Sequence, residues 1–263
     1  MNLDLSAVVL TKDEEANLAR CLEKLRWVPK VLVLDSGSTD GTERIAKSFP
    51  NVTWAVRKFD THAKQWNHAC DMAKSEWVLC LDADYILSEG VIEEISQLRP
   101  GPEVCSYTAR FVYCIDGKPL RGTLYPTKPV LLRWSKCRFE DEGHTQVPRV
   151  GTKTAALSNI IYHDDRKSME RWMANQREYA RREVEFLFGP KPSEGWSLAD
   201  RLRRLGWLMP VIAPLFALFV KGVVLDGRAG IEYARQRFLA EKFISQEIKR
   251  RRFGAGGRRE VEG

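Results

Sequence analysis

The sequence predicts an α/β fold, a mostly parallel sheet flanked by helices on both faces, with a helical region appended at the carboxyl end. Three observations predict it. Over the first hundred residues a short apolar run gives way to a helical pattern four times in succession. Those runs are continuous rather than alternating, as strands buried on both faces must be. From about residue 166 onward the pattern is helical, and there the positive charge collects. With 263 residues, 44% of them hydrophobic, the chain can bury a full core, which excludes disorder as its default state.

The first apolar run, "LSAVVL" (5–10), precedes a helix with Leu18, Cys21, Leu22 and Leu25 on one face. "KVLVLD" (30–35) precedes a helix carrying Ile45, Ala46 and Phe49. "VTWAV" (52–56) leads to a segment with Trp66, Ala69, Cys70 and Ala73, and "WVLCLD" (77–82) to a helix from about Ser88 to Leu98. In such sheets, ligands bind at the carboxyl ends of the strands. Acids collect at those ends: Asp13 and Glu14 after the first strand, Asp35 ending the second, Asp60 after the third, Asp82 and Asp84 at the fourth. An isolated charge at the mouth of a core is costly unless it is solvated, paired or holding a cation. Two carboxylates one residue apart can reach a divalent ion directly or through its water, and Mg2+ or Mn2+ so held shares its shell with substrate phosphates. Ser38 and Asp40 read equally well as caps of the following helix.

Four segments in this order, "VVLTKDEEANLARCL", "VLDSGSTDGT", "HAKQWNHACDMAKSEWVLCLDAD" and "GVVLDGRAGIEYA", resemble family 2 glycosyltransferases of the GT-A (Rossmann-like) fold over roughly residues 3–240. The branch that extends lipopolysaccharide cores and similar envelope glycans is the most similar. The resemblance implies an inverting transfer of a sugar from a nucleotide diphosphate sugar to an acceptor hydroxyl, with Mn2+ or Mg2+ as cofactor. By that resemblance Thr11, Glu14 and Asp35 hold the nucleoside, Asp35 by accepting from a uracil N–H, which favours a UDP-sugar. Lys64 and Asn67 approach the diphosphate, and Asp82 and Asp84 form the metal motif, with Asp82 also facing the donor. Tyr85 stands where relatives often carry a glutamate.

In the second half, "RFEDEGHTQV" (138–147) supplies three acids and a histidine after two further strands. The family brings its acceptor base from this region, which points to Asp141 first, by the match of Glu140 and Asp141 to the family's x-E-D pattern, and to Glu142 second. His163, after another apolar strand, matches a late histidine that such enzymes bring to the metal or the diphosphate. Imidazole suits Mn2+ better than Mg2+. A core histidine satisfied by a backbone carbonyl is the competing reading. These residues place a catalytic domain at 1–165, with its nucleotide-sugar half at about 1–100 and its acceptor half at 101–165.

Residues 166–250 read as the helical appendage. "SMERWMANQREYARREVEFL" (168–187) is one amphipathic helix with Met169, Trp172, Met173, Gln176, Tyr179 and Ala180 on a stripe. "LGWLMPVIAPLFALFV" (205–220) has no charge, is preceded by Arg201, Arg203 and Arg204 and followed by Lys221, and contains Pro210 and Pro214. A spanning helix needs ~20 apolar residues, so 201–225 is expected to lie in the membrane interface or to dip in and out of it, with a core helix pair or a dimer contact as the other reading. Residues 201–263 hold 14 Lys and Arg against 6 Asp and Glu, a net +8, so the first 200 residues sum to −1 of the chain's +7. That basic excess suits the anionic inner leaflet, while residues 251–263 read as a disordered basic tail.

The six cysteines show no metal spacing and sit in apolar runs, which suits buried thiols in a reducing compartment. The amino terminus has neither a basic leader nor a long apolar stretch. The expectation is a cytoplasmic protein, peripheral at the inner face of the membrane, whose partners are a nucleotide-sugar donor, a lipid-linked glycan acceptor and the membrane surface. Nucleic acid is not expected, since no recognition module accompanies the basic tail. Two other classes remain open: a catalytically silent relative that binds sugar nucleotide or scaffolds, and a haloacid dehalogenase-type phosphotransfer enzyme, whose D-x-D belongs after the first strand rather than the fourth.

Overall fold

The computed structural model describes residues 3–142, 145–151, 153–189 and 196–254. The chain forms two compact units. One holds the sheet and runs to Lys167, leaving out Leu120–Leu124 and Glu142–His144; the other gathers those two segments with everything from Ser168 onward.

In the first unit the elements are β1 (Leu5–Thr11), α1 (Leu18–Glu23), β2 (Val31–Asp35), α2 (Thr42–Ala46), β3 (Val52–Val56), α3 (His62–Ala73), β4 (Trp77–Asp82), β5 (Tyr85–Leu87), α4 (Glu89–Gln97), β6 (Val104–Ile115), β7 (Lys118–Pro119), β8 (Lys128–Arg133), β9 (Arg138–Glu142), β10 (Thr145–Arg149) and β11 (Lys153–His163). Among the described residues the main sheet has the order β3-β2-β1-β4-β8-β6-β11-β5, with β7 paired on β6 and a separate β9–β10 pair. Three of the four continuous apolar runs become strands buried on both faces, while β3 is the half-exposed edge strand. Ala7, Val9, Val31, Val33, Leu79 and Leu81 face Leu18, Leu22, Val91 and Ile95 of α1 and α4. The alternate residues Val8, Leu32, Leu34, Val78 and Cys80 face Ala63, Trp66, Ala69 and Cys70 of α3. All six cysteines are buried free thiols.

Parallel pairing is confined to β3-β2-β1-β4 and to β6 with β11; β8 runs antiparallel to both β4 and β6, and β5 antiparallel to β11. The sheet is therefore mixed rather than mostly parallel. The antiparallel β8 stands between β4 and β6 and joins the two parallel groups into one sheet. The chain leaves β1 toward β2 and β3, then returns to the other side of β1 as β4. That reversal makes a crevice at the carboxyl ends of β1 and β4, where open α/β sheets bind ligands.

The second unit contains α5 (Met169–Leu187), α6 (Leu198–Leu205), α7 (Met209–Leu215) and α8 (Arg228–Gly254), with a π turn at Phe216–Val220 and a 3-10 turn at Val223–Asp226. Ser168 caps α5, and Ser197 and Asp200 form a reciprocal capping box on α6. The buried stripe of α5 is Trp172, Ala180, Glu183, Val184 and Leu187, while Tyr179 is exposed. The helix α8 includes Arg251 and Arg252, the start of the expected tail, and residues 255–263 of that tail lie outside the described residues.

Arg203 departs from its expected role as a surface charge. Its guanidinium reaches Glu241 at 2.7 Å, Glu183 at 3.3 Å and Asp200 at 3.5 Å, and both glutamates are buried. Removing one partner of a buried ion pair strands the others' charge, at a cost of ~3–5 kcal/mol. Arg203→Ala should therefore lower the unfolding free energy by about that amount in a urea titration, whereas Arg201→Ala, at an exposed position, should leave it nearly unchanged.

Candidate active site

Strand register assembles the site. Thr11 pairs with Asp35 across β1 and β2, and Leu10 pairs with Asp82 across β1 and β4, so Thr11, Asp35 and Asp82 share the carboxyl edge of the sheet. The chain bends at Ala83 and Asp84 and resumes as β5, whose antiparallel register sets His163 opposite Tyr85. That pairing brings together residues 79 apart: His163 Nε2 lies 3.1 Å from Asp84 Oδ2. The imidazole is packed edge-on by Tyr125, Tyr113 and Tyr85, with ring centroids 4.5, 4.7 and 5.4 Å away. Tyr85 and Tyr125 share a hydroxyl hydrogen bond of 2.5 Å, and Lys128 Nζ donates to Tyr125 Oη at 2.8 Å. Burial drives both phenols well above their ordinary pKa, so they remain neutral donors.

Around Asp84 the charges are unevenly satisfied. Burial alone would raise its carboxyl, but the charge and hydrogen bond of His163 and the charge of Lys167 outweigh it and hold the group down at about 2. The ammonium of Lys167 lies 2.6 Å from Glu14 Oε1 and 3.7 Å from Asp165. Burial works against that ammonium, yet Glu14, Asp84 and Asp165 hold it above its usual value. Burial raises Glu14 to about 7, with Asp84 adding to the rise and Lys167 opposing it. One oxygen of this constellation has no partner: Asp84 Oδ1 is buried and accepts nothing, and His163 Nδ1 is likewise buried without a partner. The Asp82 carboxylate, half-buried at the strand end, accepts no hydrogen bond among the described residues.

A buried acceptor left empty costs ~1–3 kcal/mol, and a divalent cation removes that cost. Oxygen donors on Asp82 and Asp84, with an imidazole beside them, form a donor set suited to Mn2+ or Mg2+. Among the described residues no three His, Cys, Asp or Glu side chains converge into a complete metal cluster. The fit therefore rests on the orphaned oxygen and leaves the rest of the shell to water or substrate. His163 is not the carbonyl-satisfied core histidine of the competing reading, since Nε2 faces a carboxylate and Nδ1 faces no acceptor.

Several expected roles change. Asp35 is buried, and its four acceptor positions are taken inside its own turn: Oδ1 accepts from Thr11 Oγ1 at 3.1 Å and from the Ser38 hydroxyl, while Oδ2 accepts from the Gly37 and Ser38 N–H groups at 2.6 and 2.7 Å. Thr11 and Asp35 thus shape the loop instead of presenting a free acceptor to a base. Glu14 is spent on Lys167 and on Asn17 Nδ2 at 2.9 Å, next to Asp84. Asn67 uses both amide atoms on Phe139, donating to its carbonyl at 3.0 Å and accepting from its N–H at 2.9 Å. It braces α3 against β9. Lys64 is exposed on the first turn of α3, 3.7 Å from Asp60. Asp141 Oδ1 accepts from Ala63 N–H at 3.0 Å at the start of α3, and its side chain is exposed. The Glu142 side chain lies outside the described residues.

Other participants were not singled out by the sequence. Beyond Lys167, Arg20 donates to Asp164 at 2.6 Å and to Asn17 Oδ1 at 2.7 Å, and Asn17 donates to Asp165 at 2.9 Å, tying α1 to the end of β11. Arg57 grips Asp60 through both oxygens and donates to Gln65, whose amide also bonds Ser36 at 2.9 Å. The available signal was "HDDRK" (163–167), two acids followed by two bases directly after a strand.

This arrangement defines a class. Residues 6–156, more than half of the chain, match the family model of glycosyl transferase family 2, and the chain belongs to that family. The lipopolysaccharide core biosynthesis glycosyltransferase LpsC of Rhizobium meliloti is 32% identical over 100 residues, 36% of this chain and 37% of that relative. The uncharacterized glycosyltransferase RT0209 of Rickettsia typhi is 34% identical over 95 residues, 36% of this chain and 32% of that relative. These alignments span about a third of each relative's length. The mannosyltransferase PcManGT of Pyrobaculum calidifontis, solved with GDP-Man and Mn2+, shares the fold at a TM-score of 0.54, with 15% identity over 95% of this chain and 87% of that one.

The brace assigned to Asn67 is testable against its expected role. Truncation orphans two backbone groups of Phe139, each worth ~1–3 kcal/mol. Asn67→Ala should lower the melting temperature by several degrees with donor affinity little changed; a diphosphate ligand would show the reverse.

Proposed function

We propose that this chain is an inverting, metal-dependent glycosyltransferase that moves a sugar from a nucleotide diphosphate sugar, UDP-sugar first, to a lipid-linked envelope glycan at the inner leaflet. The observation that carries this reading is the empty, buried Asp84 oxygen beside Asp82 in the crevice between the carboxyl ends of β1 and β4. Bound there, Mn2+ or Mg2+ supplies electrostatic stabilisation to the leaving diphosphate, usually the largest contribution in such a transfer.

The residues of the chain do the rest. Asp82 and Asp84 supply the oxygen ligands, and His163, held by its tyrosine box, steers Asp84 through Oδ2 or joins the ligand set. Lys167 offsets the negative charge of Glu14 and Asp84, so the site is not overloaded with anions before the donor arrives. The turn built on Asp35 sets the backbone of Gly37 and Ser38 along the nucleoside side. A uracil N–H reaches Asp35 only if one of its four present donors yields. Lys64 is free to swing from Asp60 toward the donor. Asp141 takes the proton of the acceptor hydroxyl as its oxygen attacks the anomeric carbon and the bond to the diphosphate breaks, with inversion. General bases of this kind contribute typically 10²- to 10⁴-fold. The intact Asp82 and Asp84 pair favours this reading over a silent relative, and its place after the fourth strand favours it over a phosphotransfer enzyme. For the membrane, Arg201, Arg204 and Lys221 remain as surface cations, each worth ~1 kcal/mol beside an anionic leaflet; Arg203 is committed to Glu241.

Calorimetric titration with UDP, GDP and dTDP, each with and without Mn2+, tests the donor site. Binding of one nucleotide that requires Mn2+ and disappears in Asp82→Ala is expected; metal-independent binding, or none, would overturn the metal-dependent reading. Asp141→Asn should slow transfer by about 10²-fold or more with donor affinity intact, and a matching fall in donor affinity would remove Asp141 from the acceptor side.

A further inference from the structure

The segment from Leu205 to Asp226 is folded inside out. Its inward row is small: Ala213 and Ala217 are buried, between Met209 and Val223. Its outward row, four residues apart, is Trp207, Val211, Leu215 and Phe219, with Trp207 65% and Phe219 68% exposed. Beside it stand Val220, 67% exposed, and Leu225, 71% exposed. A globular helix buries its large apolar side chains and shows water its polar ones; this segment does the opposite over several turns. Single exposed apolar residues are ordinary, whereas a contiguous apolar face marks a surface that something covers.

Two features of the segment say what covers it. The first is charge. Between Arg204 and Asp226 there is no acid and one base, Lys221, while Arg201, Arg204 and Arg228 flank the segment. Asp226 is spent on Arg121 at 3.2 Å. A second copy of the chain docking face to face would bring these cations together, so an anionic surface suits the rim and another copy does not. The second is backbone. The chain from Met209 to Val220 is helical, the backbone form that pairs N–H and C=O groups within a segment and so suits entry into hydrocarbon. Those twelve residues span about 18 Å at ~1.5 Å each, against a hydrocarbon core of ~30 Å. Pro214 lies inside the helix, and Gly222 and Gly227, with φ of +72° and +60°, turn the chain back. Among the described residues no helix is long and apolar enough to cross a membrane.

We infer that residues 205–226 form a monotopic wedge that inserts the Trp207, Val211, Leu215 and Phe219 face into one leaflet of an anionic bilayer, with Arg201, Arg204 and Lys221 at the headgroups. The inference rests on the membrane association proposed above and adds penetration of the apolar layer. Amphipathic segments of this kind bury their apolar face ~5–10 Å deep. Trp207, in the bend before α7, and Phe219, in the π turn after it, are both exposed.

Flotation of the whole chain with vesicles of equal phosphatidylglycerol and phosphatidylcholine tests it, alongside the double substitution Phe219→Ser and Leu225→Ser. Both positions are exposed, so the variant's melting temperature should match the wild type. Wild-type binding that survives high salt, and a variant whose partition falls by at least about tenfold, are expected. Bilayers carrying lipids brominated near the headgroup should also quench fluorescence that Trp207→Phe lacks. Wild-type binding that salt abolishes and the serines leave unchanged would overturn insertion while leaving electrostatic association standing. No vesicle binding at all would overturn both. A wild-type dimer in solution that the serine pair dissociates would assign the face to a second copy and overturn the wedge.

Discussion

Everything at the carboxyl edge of the sheet depends on how one largely buried carboxylate, Asp84, is kept charged. Burial opposes its ionisation, and His163 on one side with Lys167 on the other reverses that opposition. Lys167 in turn needs Glu14 and Asp165, and Asp165 is positioned by Asn17, which also receives Arg20. Removing any member shifts the balance for the rest. The network still leaves one oxygen of Asp84 empty. A protein that sets His163 and Lys167 about a carboxylate and yet leaves one of its acceptors open has kept a coordination position for something not part of its own chain.

What the sequence revealed and what it hid divide along a physical line. Three of the four continuous apolar runs are legible because burial on both faces leaves a compositional trace at every residue of Ala7 to Val9, Val31 to Leu34 and Trp77 to Leu81; the fourth, Val52–Val56, is a half-exposed edge strand. The acids at the strand ends are legible because strand direction alone decides where they go. The fate of each acid is not. Asp35 and Asp82 look alike in sequence, yet the turn at Gly37 and Ser38 fills every acceptor of one and leaves the other open. Asn67 appeared to face a ligand because its helix does, but the strand at Phe139, 72 residues away, takes both its amide atoms. Pairings of that range depend on register, and register is set by the whole sheet. The antiparallel entry of β5 beside β11, which brings His163 to Asp84, has no local signature at all.

The second unit shows the same divide in reverse. The uncharged run at 205–220 was legible as unusual, while its orientation was not: only the packing shows that the alanines face in and the large side chains face out. Arg203 reads from sequence as one of three equivalent cations. Arg201 is exposed and Arg204 stacks on Trp196 and Phe188, whereas Arg203 meets the buried Glu183 and Glu241. Charge pattern on a helix predicts exposure only while no other helix brings an opposite charge.

The most direct measurement is anomalous diffraction from crystals of the protein grown with Mn2+ and the nucleotide diphosphate that binds. A manganese peak in contact with Asp82 and Asp84 Oδ1, its remaining shell completed by diphosphate oxygens, is the expected result. A nucleotide bound at the crevice with no metal at Asp84, or a manganese site elsewhere in the chain, would contradict the role given to the open oxygen.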